Sequence, residues 1–166
     1  KKQQDSENKE KEEKLREQEK EKRLEQRQIA KERIPVIAKS LLECKQGATT
    51  IDEITIEVAE SGKANFCYSD SNNYDDVFHI GLGEVLCKSD PKMVYCGLFE
   101  QGEKIRVIVY AGDEISKEKS AGDIVKSISQ ILGGAGGGSP KFAQGGGTDK
   151  SKKEDAIKNA KSMIIE

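Results

Sequence analysis

Apolar residues are sparse and irregular over the first 33 positions, then fall into short runs spaced either by three and four or by two. Residues 1–33 hold no Gly or Pro and consist mainly of Glu, Lys, Gln and Arg, side chains that lose little rotamer freedom in a helix. Acid precedes base by four positions at Asp5/Lys9, Glu7/Lys11, Glu10/Lys14, Glu12/Arg16 and Glu19/Arg23, an order that supports a helix by about 0.2–0.5 kcal/mol per pair. One long helix is predicted. Leu15, Leu24 and Ile29 keep no heptad register, so a solvated single helix is preferred to a coiled coil.

Pro35 interrupts this run, and Ile34, Ile37, Ala38, Leu41 and Leu42 follow at spacings that share a face. A second, amphipathic helix ending near Gly47 is expected; a hairpin of the two helices and a kinked arm both fit. Beyond Asp52-Glu53 the period becomes two, with Ile54, Ile56 and Val58 alternating with Thr55 and Glu57. This predicts a strand to about Ala59, a turn at Gly62 and a second short run over Ala64 to Tyr68. Ser71 or Asn72 is placed to cap a helix over roughly 73–88, with Val77, Ile80, Val85 and Leu86 facing the sheet. Gly81 and Gly83 argue against that helix.

A hairpin is the clearest local signal. Met93 to Phe99 and Lys104 to Tyr110 are β-rich runs joined by Glu100-Gln101-Gly102-Glu103. Ser120 to Leu132 then places Ile124, Val125, Ile128, Ile131 and Leu132 at helical spacing, closing at Gly133-Gly134. A last helix, about Lys152 to Ile165, carries Ala156, Ile157, Ala160, Met163 and Ile164 on one face. The sum is an α+β fold, a small mainly antiparallel sheet packed with helices and preceded by a long charged helical arm. The expected division is an arm over 1–48 and a globular part over 49–166, with a Gly-rich loop at 133–147.

Composition sharpens that division. With 34% hydrophobic and 35% charged residues over 166 positions, part of the chain must lie outside any packed core. An opening at Lys1, inside a charged helical run, fits a piece of a longer protein. No run approaches the roughly 18 apolar residues of a membrane span, and no secretory signal order is present, so a cytoplasmic location is expected. Cys44, Cys67, Cys87 and Cys96 lack C-x-x-C spacing and have only His79 to join them, so they are expected as buried small hydrophobes rather than zinc ligands, with no metal or cofactor. His79 has no assignable nucleophile or acid partner and is expected to be structural. Charge is uneven: 12 basic and 10 acidic side chains over 1–33, 5 and 11 over 34–100, and 11 and 9 over 101–166. A polyanion contact is therefore expected away from the acidic middle.

Eight of the 16 glycines lie in residues 133–149. Glycine lets backbone N–H groups approach an anionic oxygen and adopts positive φ, so such a segment can cradle phosphate. A flexible linker is the plainer alternative, but Pro140, Phe142 and Ala143 interrupt the run with residues that pack or stiffen. No Gly-Lys-[Ser/Thr] occurs, and the glycines follow a helix rather than a strand, which disfavours a nucleotide-hydrolysing or dinucleotide site.

Ala121-Gly122-Asp123-Ile124-Val125-Lys126, then Gly133 to Gly138, Pro140 to Gln144 and Gly145 to Gly147, resembles the signature of the C-terminal domain of alanyl-tRNA synthetases, a relative of the C-terminal domain of DHH phosphoesterases. The match is close over about 104–166 and holds in layout elsewhere. Phosphoesterase versions typically carry His in the glycine-rich motif and Ala-Ala-Gly after it; Ser139 and Ala-Gln-Gly here turn the choice to the synthetase. The resemblance implies a non-catalytic domain of an alanine–tRNA ligase that binds tRNA(Ala) at its outer corner, links aminoacylation to editing and, in some members, dimerises through the arm. The parent's remaining domains and tRNA(Ala) are the implied partners, with a homodimer as a further one.

Gly136, Gly137, Gly138, Ser139, Lys141, Gln144, Gly145 and Gly146, with Lys126 and Arg106, form the candidate tRNA-binding set. Lys141 is positioned to reach phosphate, or is an ordinary solvated lysine. Phe142 is read as a loop anchor rather than a base-stacking ring. Gln144 suits a base edge, a ribose or the loop backbone. Lys104, Lys150, Lys152 and Lys153 are secondary charge contacts. Two other readings stay open: an oligomerisation module built on the arm, and a domain of a DHH phosphodiesterase or a free-standing editing protein.

Overall fold

The computed structural model describes residues 2–43, 47–51, 54–60, 64–70 and 76–165. Cys44, the Gly62 turn and the Ser71/Asn72 cap lie outside them. Helix α1 spans Lys2–Glu43 with Pro35 inside it, so the expected break into two helices does not occur. The proline removes one amide from the helical ladder. Immediately beyond it Ile37, Ala38 and Leu41 are buried, and this packing outweighs the local penalty.

Among the described residues seven strands form one sheet in the order β1-β2-β3-β4-β5-β7-β6: β1 Gly47–Ile51, β2 Ile54–Glu60, β3 Asn65–Asp70, β4 Met93–Gln101, β5 Lys104–Ala111, β6 Ala135–Gly138 and β7 Phe142–Gly147. All neighbours run antiparallel except β3 and β4, which are joined by the crossover helix α2, Asp76–Ser89. Helices α3 (Ala121–Ile131) and α4 (Lys153–Ile165) complete the fold. The α+β architecture expected from the periods is the one observed.

Two cores lie on opposite faces of the sheet. On one, α3 and α4 cover Phe66, Val94, Cys96, Leu98, Ile105, Val107 and Val109. On the other, the end of α1 and helix α2 cover Ile56, Val58, Cys67, Met93 and Tyr95. Strand β4 is buried on both faces from Met93 to Phe99, which is why its sequence reads as an unbroken apolar run rather than an alternation.

Helix α2 buries Phe78, Leu82 and Leu86; of the expected face Leu86 is inside, whereas Ile80 is half-buried and Val85 is exposed. The glycines explain the rotation. A Cβ on Gly81 would stand 2.6 Å from Ile34 Cδ1, and one on Gly83 would stand 2.8 Å from Tyr95 Cδ1, so bare positions let α2 sit close to α1 on one side and to the sheet on the other. The glycines that weigh against a helix by propensity are the ones its packing requires.

Segment 133–147, expected as a loop, is a β hairpin. Gly133 has φ of 78° and ends α3 by donating to Gln130 O at 3.1 Å, while Gly134 donates to Ser129 O at 2.8 Å, the paired bonds of a Schellman cap. Strands β6 and β7 then extend the sheet beyond β5.

Candidate functional site

Helix α3 lies directly on the backbone of the glycine hairpin. A Cβ on Gly136 would stand 2.5 Å from Val125 Cγ1 and one on Gly145 would stand 2.3 Å from Ser129 Oγ. Gly136 and Gly145 are cross-strand partners, so together they open a slot that a side chain would fill. Gly138 is equally close to Ala143 and Phe142 O. These glycines therefore serve packing. Strand β7 lies between β5 and β6, and its amides are taken up alternately by the two ladders, so it carries no free N–H cradle of the kind composition suggested.

The opposite face of the hairpin is different. Direct cross-strand partners share a face, and the registers place Phe99, Arg106, Gly146 and Ala135 in one row, with Gly97, Ile108, Gln144 and Gly137 in the next. Helix α2 covers the β4 end of these rows, where His79 stacks on Phe99 with centroids 5.4 Å apart. Toward β7 and β6 the rows run into a hollow of about 410 Å³ whose wall includes Lys104, Arg106, Gly134, Gln144, Gly146 and Thr148. Arg106 Nη2 donates to Gln144 Oε1 at 3.3 Å, which joins the two long polar side chains of the wall. A wall of glycine backbone with two cations at its rim admits a bulky anion without side-chain obstruction.

The expected site residues thus divide. Arg106, Gln144, Gly145 and Gly146 line this hollow together with Lys104. Gly136 and Gly138 are turned to packing. Ser139 and Lys141 sit at the hairpin tip, where Ser139 Oγ accepts from the Phe142 amide at 3.1 Å. Lys141 Nζ is 2.7 Å from Asp113 Oδ1, both exposed, and the Lys141 ammonium holds the Asp113 carboxyl below its ordinary range, chiefly by hydrogen bonding. Phe142 packs on Tyr110 with centroids 5.0 Å apart, the anchoring role expected of it. Lys126 reaches the hairpin edge, its Cε 3.8 Å from where a Gly137 Cβ would stand.

Of the secondary cations, Lys150 is held by Glu100 at 3.3 Å and by Gly102 O at 3.1 Å, and Lys153 pairs with Asp70 in a separate hollow beside α4. A second hollow, of about 290 Å³, adjoins the first at Arg106 and brings in Arg23 and Arg27 of α1. Nothing along the chain distinguishes those two arginines, because their surroundings are uniformly charged.

His79 is fully buried. Its Nδ1 lies 2.8 Å from the Tyr95 hydroxyl, which is 2.5 Å from Ser69 Oγ. Nε2 has no partner among the described residues. Burial pushes the imidazole down to about 3, so it is neutral at physiological pH and enclosed, a structural role. Cys67, Cys87 and Cys96 are buried free thiols, and burial pushes the Cys87 thiol up to about 12, which keeps it protonated and unreactive. No described helix is long and apolar enough to cross a membrane.

Known proteins resemble this chain in sequence and in fold. The DHHA1 domain model matches residues 65–166. An alanine–tRNA ligase of Nitrosopumilus maritimus is 41% identical over 166 residues, covering 99% of this chain and 18% of that protein. One of Cenarchaeum symbiosum is 38% identical over 110 residues, covering 66% of this chain and 12% of that protein. The chain spans less than a fifth of the length of these relatives. The crystal structure of the C-Ala domain from Aquifex aeolicus alanyl-tRNA synthetase shares the fold with a TM-score of 0.61 at 24% identity, over 66% of this chain and 99% of that one. With the family model covering both strands of the glycine hairpin and the helices that pack on it, the chain belongs to the DHHA1 domain family.

Proposed function

We propose that this chain is the tRNA-contacting C-terminal part of an alanine–tRNA ligase, binding tRNA(Ala) at its outer corner and helping to link aminoacylation with editing. The observation that carries the reading is the hollow walled by glycine backbone with Lys104 and Arg106 at its rim, in a chain similar along its length to such a ligase. Phosphate is the ligand chemistry such a rim suits. Guanidinium donates to phosphate oxygens in pairs, and the absence of Cβ atoms lets the sugar-phosphate chain approach the sheet. The role is binding without a cofactor, in the cytoplasm, beside the ligase's other domains.

The test is the affinity of the chain for tRNA(Ala) over a salt series. Log affinity should fall linearly with log salt, by roughly 0.7–0.9 per phosphate contacted. Arg106→Ala should weaken binding at every salt concentration and reduce that slope by about 1. Salt-independent binding, or an Arg106→Ala chain that binds as wild type does, would sink the reading.

A homodimer through the arm is a second reading, favoured by Leu15, Ile29 and Val36. These are each at least half exposed and spaced by 14 and 7 positions, which sets them along one side of α1. Sedimentation across a concentration series decides it, since a mass fixed at that of the monomer removes the dimer.

A further inference from the structure

The second hollow lies between α1, the start of α2 and the turn end of the β4–β5 ladder. Its lining is Arg23, Arg27, Asp76, Phe99, Gln101 and Arg106. Arg23 and Arg27 are four apart on α1, so they share a face of the helix, and both are exposed. Neither is engaged in a hydrogen bond or ion pair among the described residues. Three guanidinium groups thus stand against one carboxylate, that of Asp76.

Three features fix what such a place would hold. The guanidinium groups come from two elements, α1 and β5, so they address a ligand from two sides. Arginine matches phosphate oxygens with pairs of N–H donors in a planar fork. Arg106 also lines the glycine-walled hollow, so the two hollows meet at its side chain and a strand lying along both would follow one track. Gln101, at the end of that track, adds an amide that can both donate and accept, as a ribose hydroxyl requires.

We propose that Arg23 and Arg27 of the arm, with Arg106, seat the phosphodiester backbone of RNA, so that one strand is gripped between arm and sheet. The proposal rests on the reading of the Lys104–Arg106 hollow as an RNA contact. It gives the charged arm a binding role distinct from holding two subunits together.

The test compares four full-length chains for tRNA(Ala) binding over a salt series: wild type, Arg23→Gln/Arg27→Gln, Lys14→Gln/Lys22→Gln and Lys104→Gln. The Lys14/Lys22 pair removes the same charge from the same helix at exposed positions outside the hollow. Loss of Arg23 and Arg27 should weaken binding at least about tenfold and lower the salt slope by roughly 1.4–1.8, as two lost phosphate contacts require. The Lys14/Lys22 pair should lose about twofold or less. Equal losses in both pairs, or wild-type binding by the Arg23/Arg27 variant, overturns the proposal. If Lys104→Gln weakens binding and the Arg23/Arg27 variant does not, the seat fails while the proposed function stands; if the wild type does not bind, both fail. Melting curves by circular dichroism should coincide for all four, since each substituted side chain is exposed.

Discussion

Helices α1 and α3 use opposite physics. Helix α3 has 11 residues and buries Ala121, Gly122, Ile124, Val125, Ile128 and Ser129, lying so close to the sheet that two facing glycines must stay bare. Helix α1 has 42 residues, yet the positions at its start and middle whose burial is described are exposed up to Glu32, and its buried side chains Ile37, Ala38 and Leu41 all lie near its end. One helix is held by packing; the other rests over most of its length on the helix propensity of its own solvated side chains. The binding track proposed above runs between them, with a rigid wall on the α3 side and long adjustable cations on the α1 side.

The difference can be broken most forcefully at α3. Ile128→Ala should destabilise the chain by about 2–5 kcal/mol, read from urea midpoints, whereas Leu24→Ala, at a position 57% exposed, should stay within about 0.5 kcal/mol. Comparable losses at the two sites would mean the arm is packed in solution.

A finer probe is a single added carbon. Gly145→Ala places its Cβ against Ser129 Oγ and the Gly136 backbone and should destabilise by about 1–3 kcal/mol. Ser129→Ala removes a buried hydroxyl that has no hydrogen-bond partner among the described residues. It should be neutral or stabilising by up to about 1 kcal/mol and should relieve part of the Gly145→Ala loss. Strict additivity in that double-mutant cycle would show that the slot is not what limits position 145.

The smallest effect per step is on the other face, at His79. Its pKa falls from the ordinary 6.5 to about 3 on burial, so the unfolded chain binds a proton that the folded chain refuses. Stability from this group is complete above the unfolded value and declines as pH drops from about 6.5 toward 3, by about 1 kcal/mol per pH unit. Urea midpoints taken between neutral pH and about pH 5 should show that slope in the wild type and lose it in His79→Gln. An unchanged slope in the variant would mean that another group is responsible.

Much of this molecule is legible from its periods. The β4–β5 hairpin, α3 and α4 were readable because apolar side chains at fixed spacing must find a common core. The arm was readable from composition. Three features resisted for definite reasons. Strands β6 and β7 are built largely of a residue depleted in strands, and the need for bare backbone under Val125 and Ser129 is visible only once α3 is docked. Helix α2 keeps Leu86 inside but adds Phe78 and Leu82 in place of Val85, because Gly81 and Gly83 lie against elements remote in sequence. Pro35 was overruled by the burial of Ile37, Ala38 and Leu41 just beyond it. Of the candidate site, Arg106, Gln144, Gly145 and Gly146 converge as a set, while Arg23 and Arg27 join them through the fold alone.

The most direct test of the account is a titration of the isotope-labelled chain with tRNA(Ala), followed through its backbone amide spectra. The account predicts that shifts and broadening concentrate at Lys104, Arg106, Gly133 to Ala135 and Gly145 to Thr148, with a second group at Arg23 and Arg27. Changes confined to the hollow beside α4, around Asp70 and Lys153, with the glycine hairpin undisturbed, would contradict it.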